Sequence, residues 1–101
     1  MDPEFDELKR EFLADAASKL NEIEEQLRGD GAEGDASRER AFYLAHQLKG
    51  AGGSYGFATI STEAAALEKD LEASPVEVAR VTERIAQLRS VIEERKRELG
   101  A

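Results

Sequence analysis

His46 is the only histidine in a chain of 101 residues that contains no cysteine. A neutral imidazole keeps a lone pair on one ring nitrogen and a proton on the other. With an ordinary titration point near ~6.5, such a group can act as a nucleophile at neutral pH without an activating base. It stands in the run Ala45-His46-Gln47-Leu48-Lys49-Gly50-Ala51-Gly52-Gly53-Ser54-Tyr55-Gly56-Phe57. Lys49 follows three residues later, at helical spacing, and would set a cation beside any anionic group carried on the ring. Other chemistries are poorly served. A single histidine without cysteine offers too few donors for a closed zinc site. Gly50-x-Gly52-x-x-Tyr55 fails the dinucleotide pattern, and no Gly-Lys-Ser/Thr closes a phosphate loop.

The elements that must position these residues are all helical in pattern. Leu8, Phe12, Ala16, Leu20, Ile23 and Leu27 recur at intervals of three and four, the stripe of an amphipathic helix. Gly29-Asp30-Gly31-Ala32-Glu33-Gly34-Asp35 interrupts it with turn residues. A second helix is expected from near Ser37 through His46, ending in the glycine-dense stretch Gly52 to Gly56. Ile60, Ala64, Leu67 and Leu71 mark a third. Ser74-Pro75-Val76-Glu77 reads as a helix start, with Ser74 as N-cap, Pro75 at the first helical position and Glu77 closing a capping box. The fourth helix would then carry Val78, Val81, Ile85, Leu88 and Ile92 inward. No strand-like alternation competes. Short connections between four such helices predict an all-α, antiparallel up-down-up-down four-helix bundle.

On a wheel of roughly 100° per residue, Ala41, Leu44, Ala45, Leu48, Gly52 and Tyr55 gather on the core side of helix two, and His46 points roughly 160° away, toward solvent. Phe42, Lys49 and Gly53 share its side, with Gly50 one turn further on. A glycine inside a helix costs ~0.8–1 kcal/mol relative to alanine. Close packing against another helix accounts for Gly52 and in part for Gly53, but not for an outward, mid-helix Gly50. A bare surface there would let the loop of another protein approach the imidazole. An exposed Phe42 one turn before His46 points the same way.

Composition narrows the classes. The net charge of −8 argues against nucleic acid, whose binding depends on Lys and Arg neutralising phosphates. Arg95-Lys96-Arg97 falls near the end of the fourth helix, where cations complement the helix dipole. No apolar run approaches the ~20 residues of a membrane span and no signal-peptide pattern opens the chain. Absence of cysteine fits a cytoplasmic protein. Met1 to Phe5 reads as an expression-vector scar, leaving residues 6–101 as one domain.

The motif around His46 resembles that of the histidine phosphotransfer (HPt) domain, His-x-Leu-Lys-Gly, five residues, then Gly. His46, Leu48, Lys49, Gly50 and Gly56 match every position, and Leu67-Glu68 matches the Leu-Glu often found on the family's third helix. Gly53-Ser54-Tyr55-Gly56-Phe57 looks most like the phosphoacceptor domain of chemotaxis-type histidine kinases. In those domains a glutamate 22 residues after the histidine holds its ring, and Glu68 stands at that spacing. The chain departs from them at Ala65, where a second histidine can stand, and it ends where their fifth helix would follow.

The resemblance implies a covalent carrier without independent turnover, either free-standing or a piece of a histidine kinase. His46 would accept a phosphoryl group and Lys49 would offset its charge. Glu68 would orient the ring by accepting the Nδ1 proton, while Leu48 and Gly56 serve the motif structurally. Phe42, Gln47, Gly50 and Gly53 would meet the partner. That partner would be a response-regulator receiver domain or a kinase catalytic domain. No cofactor is expected on the chain itself, since Mg²⁺ belongs to the partner, and the domain is expected to be monomeric. Two rivals stand beside this reading. One is the dimerisation helix pair of a histidine kinase, disfavoured by Gln47 after the histidine and by the absence of proline between it and Pro75. The other is a docking bundle whose histidine is inert, which leaves Lys49 and Gly50 as coincidences.

Overall fold

A computed structural model describes residues 2–100. It contains the helices α1 (Pro3–Gln26), α2 (Asp35–Ser54), α3 (Ala58–Glu72) and α4 (Val78–Glu98), with a short 3₁₀ turn at Gly29–Glu33 and no strand among the described residues. Each helix touches two others: α2 lies against α1 and α3, and α4 lies against α3 and α1. The result is a four-helix bundle of 45 × 19 × 17 Å.

The apolar periodicity accounts for the core. α1 buries Phe12, Leu13, Ala16, Leu20 and Ile23; α2 buries Ala41, Leu44, Ala45, Leu48 and Gly52. α3 adds Ile60, Ala64, Leu67 and Leu71, and α4 adds Val81, Ile85, Leu88 and Ile92. No polar or charged residue is buried among those described. The core is therefore held by apolar burial, at roughly 25 cal/mol per Å² removed from water. Arg95, Lys96 and Arg97 occupy the last turn of α4, at the negative end of its dipole.

Several boundaries differ from the sequence-based expectation. α1 reaches back to Pro3, because Asp2 caps it by accepting the Glu4 N–H and Pro3 suits the first helical position. Part of the segment read as a vector scar is thus helical; Met1 and Ala101, at the outer ends of the two proposed segments, lie outside the described residues. α2 begins at Asp35, just before the expected Ser37. The capping box at Ser74 does not form. α4 starts at Val78, with Glu77 as a cap residue whose side chain makes no capping hydrogen bond. Val76 is buried in the connection instead, while Val78 is 43% exposed. Leu8, expected inward, is 45% exposed. Both misplaced positions lie where a neighbouring helix has ended: Val78 lines a groove with Leu27 and Arg28, just after α1, and Leu8 lines one with Ala51 and Tyr55, where α2 stops.

Candidate functional site

α2 ends in a turn whose hydrogen bonds explain one glycine of the motif. The Phe57 N–H donates to the Gly52 carbonyl at 2.8 Å and the Gly56 N–H to the Gly53 carbonyl at 3.1 Å, a Schellman arrangement. That arrangement needs a left-handed residue, and Gly56 has φ +80°. The turn returns the chain so that α3 packs on α2 through Gly52. A Cβ on Gly52 would lie 3.1 Å from the Ser61 backbone nitrogen and 3.3 Å from Ile60 Cγ2. Leu48 is buried in the core and anchors the same stretch from inside.

This packing brings Glu68 of α3 up to His46 and Lys49 of α2. Glu68 Oε2 lies 2.9 Å from His46 Nδ1, and the Lys49 ammonium donates to Glu68 Oε1 at 3.0 Å. The carboxylate is largely covered, with 13% of its side chain exposed, whereas the His46 side chain is 59% exposed. Burial pushes the Glu68 carboxyl upward, but the hydrogen bonds from His46 and Lys49, with their charges, outweigh it and hold it below its usual value. A carboxylate so held can accept a proton from Nδ1, the tautomer in which Nε2 keeps the lone pair.

The surface around the ring divides. Beside Gly50 nothing lies within 4 Å of where a Cβ would sit, so the backbone is open one turn beyond His46. Gly53 is exposed and lies next to Ser61, whose Oγ would be 3.7 Å from a Cβ there. Phe42 is not the exposed aromatic expected. It packs partly on the core, and its ring lies nearly parallel to the imidazole with centroids 6.4 Å apart. The exposed aromatic is its neighbour Tyr43, 50% exposed, whose hydroxyl accepts from Gln47 Nε2 at 2.9 Å and whose ring carries the Arg40 guanidinium 5.8 Å from its centroid.

His46 thus stands on exposed helix surface, not in a cleft. A cavity of about 370 Å³ opens elsewhere, between the start of α3 and the end of α4, lined by Phe57, Thr59, Val91 and Arg95. Among the described residues no cluster of three or more His, Cys, Asp or Glu side chains is placed to hold a metal, and no helix is long and apolar enough to cross a membrane.

His46, Lys49 and Glu68 are brought together, with Gly50 open beside them. Reading the chain in one dimension missed the Lys49–Glu68 pair, the exposure of Tyr43, and Ser61, whose hydroxyl donates to the Lys49 carbonyl at 2.8 Å. The one available signal for Tyr43 was its place three residues before His46 and four before Gln47. No curated protein and no solved structure gives a significant match. The Hpt domain family model, however, matches residues 7–91, which takes in α2, α3 and every residue of the cluster. The chain therefore belongs to the Hpt domain family, the histidine phosphotransfer domains of phosphorelays.

Proposed function

We propose that His46 is the phosphoacceptor and that it relays a phosphoryl group between a donor and a receiver aspartate. The observation that carries this reading is the division of the imidazole: Nδ1 is engaged by Glu68 at 2.9 Å while the ring remains mostly exposed. In the forward step the Nε2 lone pair attacks the phosphorus of a receiver's aspartyl phosphate, or of a nucleotide's terminal phosphate held by a kinase domain. A bond forms between Nε2 and phosphorus, and the bond from phosphorus to the leaving carboxylate or nucleotide oxygen breaks. The ring keeps its Nδ1 proton and gains positive charge, which the Glu68 carboxylate opposes. Transfer onward reverses these steps onto an aspartate of the next receiver.

Such transfers depend on positioning and charge neutralisation more than on covalent help. Lys49 can turn from Glu68 toward the phosphoryl oxygens. Further neutralisation would come from Mg²⁺ in the partner domain, which also supplies the second reacting group. The open backbone at Gly50, together with Gln47, Gly53 and the Phe42 ring stacked on His46, would form the partner's approach. The domain would act as a monomeric cytoplasmic carrier without turnover of its own. An antiparallel up-down-up-down course is supported by contacts that run in opposite chain order. Glu22 meets Arg40 and Phe12 stacks on Tyr55 across α1 and α2, while His46 meets Glu68 and Lys49 meets Ser61 across α2 and α3.

The test is direct. Incubated with phosphorylated receiver domains or candidate kinases, the parent domain should take up an acid-labile phosphoryl group and a His46→Gln variant should take up none. Label that survives the substitution, or its absence from the parent with every donor, would return the inert docking bundle to first place.

A further inference from the structure

The carboxylate of Glu68 meets two demands at once. Oε2 must lie on His46 Nδ1 and Oε1 on Lys49 Nζ, at 2.9 and 3.0 Å. These contacts join two helices, so they hold only if α3 sits at one register along α2. A slide by a single residue's rise, about 1.5 Å, would stretch both contacts to about 3.3 Å or more and turn them off line, which weakens them and frees the ring to rotate. The apolar side chains behind them, Leu48 of α2 and Ile60, Ala64 and Leu67 of α3, are all buried in the core, but apolar burial is non-directional and does not by itself aim a carboxylate. A directional contact is needed, and one exists. Ser61, in the first turn of α3, donates from Oγ across the interface to the main-chain carbonyl of Lys49 at 2.8 Å.

The local sequence is shaped to admit this bond. Gly52 presents no side chain to the Ser61 backbone, and a Cβ on Gly53 would lie 3.7 Å from Ser61 Oγ. Gly52 lets the start of α3 come close enough for a short hydroxyl to reach the α2 backbone, while at Gly53 a Cβ would make only ordinary contact with that hydroxyl. Ser61 and Glu68 are seven residues apart, two turns on one face of α3, so both look toward α2. The acceptor carbonyl belongs to the residue whose side chain is the second partner of Glu68. Main chain and side chain of Lys49 are therefore held by the same helix, two turns apart.

We infer that Ser61 is a positioning residue: its hydrogen bond to the Lys49 carbonyl sets the register of α3 on α2 at which Glu68 orients His46. This rests on the reading of His46 as phosphoacceptor. Ser61 touches neither the ring nor the transferred group and acts through α2 and Glu68.

The test compares Ser61→Ala with Ser61→Thr in the whole domain, using two readouts. The first is the two-bond proton–nitrogen correlation spectrum of the His46 ring in the unphosphorylated protein at pH 8. The parent should show one tautomer, protonated on Nδ1; Ser61→Ala should show a mixture, and Ser61→Thr, which keeps the hydroxyl, should return to the parent pattern. The second is the rate of phosphoryl transfer, which should fall about tenfold in Ser61→Ala, as small misplacements of reacting groups do, and recover in Ser61→Thr. A parental ring spectrum in Ser61→Ala overturns the inference, and so does equal impairment of the two variants. If the parent accepts no phosphoryl group, the reading of His46 fails; the ring spectra then still decide whether Ser61 sets the register.

Discussion

Glu68 holds His46 on one oxygen and Lys49 on the other, so its two neighbours share one negative charge. Glutamine cannot reproduce this. Its single carbonyl oxygen could accept from the imidazole, but its amide would then turn a donor toward the Lys49 ammonium. The charge also has a pH signature. In the folded protein the Glu68 carboxyl is held below its usual value, so near and below about pH 4.3 the unfolded chain binds the extra proton first. The stability it contributes is complete above the unfolded value and is lost as pH falls through the folded one. Glu24, bonded to Arg89, and Glu22, bonded to Arg40, shift in the same direction, so the parent's acid sensitivity is shared. The part due to Glu68 is the difference between parent and Glu68→Gln. Urea midpoints measured at pH 5 and pH 3 should fall further for the parent than for the variant; equal falls would show that Glu68 does not titrate with folding. The Glu68 contact was legible as a spacing of 22 residues only because a family pattern supplied it. Lys49 as its second partner was not legible, since contact between positions 49 and 68 depends on how α3 lies against α2, which local periodicity does not encode.

Two glycines of α2, two positions apart, should respond to alanine in opposite directions. Gly50 has open space where a Cβ would go, so Gly50→Ala should stabilise the domain by up to ~1 kcal/mol through helix propensity alone. Gly52 has backbone of α3 at 3.1 Å. Alanine there gains the same propensity but forces the helices apart, at about 1–3 kcal/mol, for a net loss of about 1 kcal/mol. Denaturant titration of both variants checks the pair, and a stabilised Gly52→Ala would mean that the α2–α3 contact yields without cost. The helix wheel separated these glycines correctly, because burial along a helix follows the 3.6-residue period. It failed at helix ends, where the period continues but the partner does not. Leu8 and Val78 stay in phase with their stripes yet lie beside the ends of α2 and α1. The Ser74 capping signal failed for a related reason: the start of α4 at Val78 goes with burial of Val76, a tertiary contact that overrides a local cap.

At the scale of the molecule, the core and the site occupy different layers. No polar or charged residue is buried among those described, and the His46 cluster is built on the outer flank of α2 and α3. All four helices were legible because an apolar core writes its period into every element; the cluster was legible only through His46, its motif and the family spacing that pointed to Glu68, because exposed contacts leave no period. This layering makes stability and transfer separable. Leu88 is fully buried on α4 and makes no part of the cluster. Leu88→Ala removes apolar contact and leaves a cavity, costing about 2–5 kcal/mol. For a domain of this size that is a large share of a total of about 5–15 kcal/mol. Urea unfolding should show a clear loss of stability. Below its melting range, however, the folded fraction should accept and donate phosphoryl groups at the parental rate, because the polar contacts of the cluster are all made between side chains and backbone of α2 and α3. A slower rate in fully folded Leu88→Ala protein would show that α4 packing reaches the cluster, and that the bundle behaves as one coupled body.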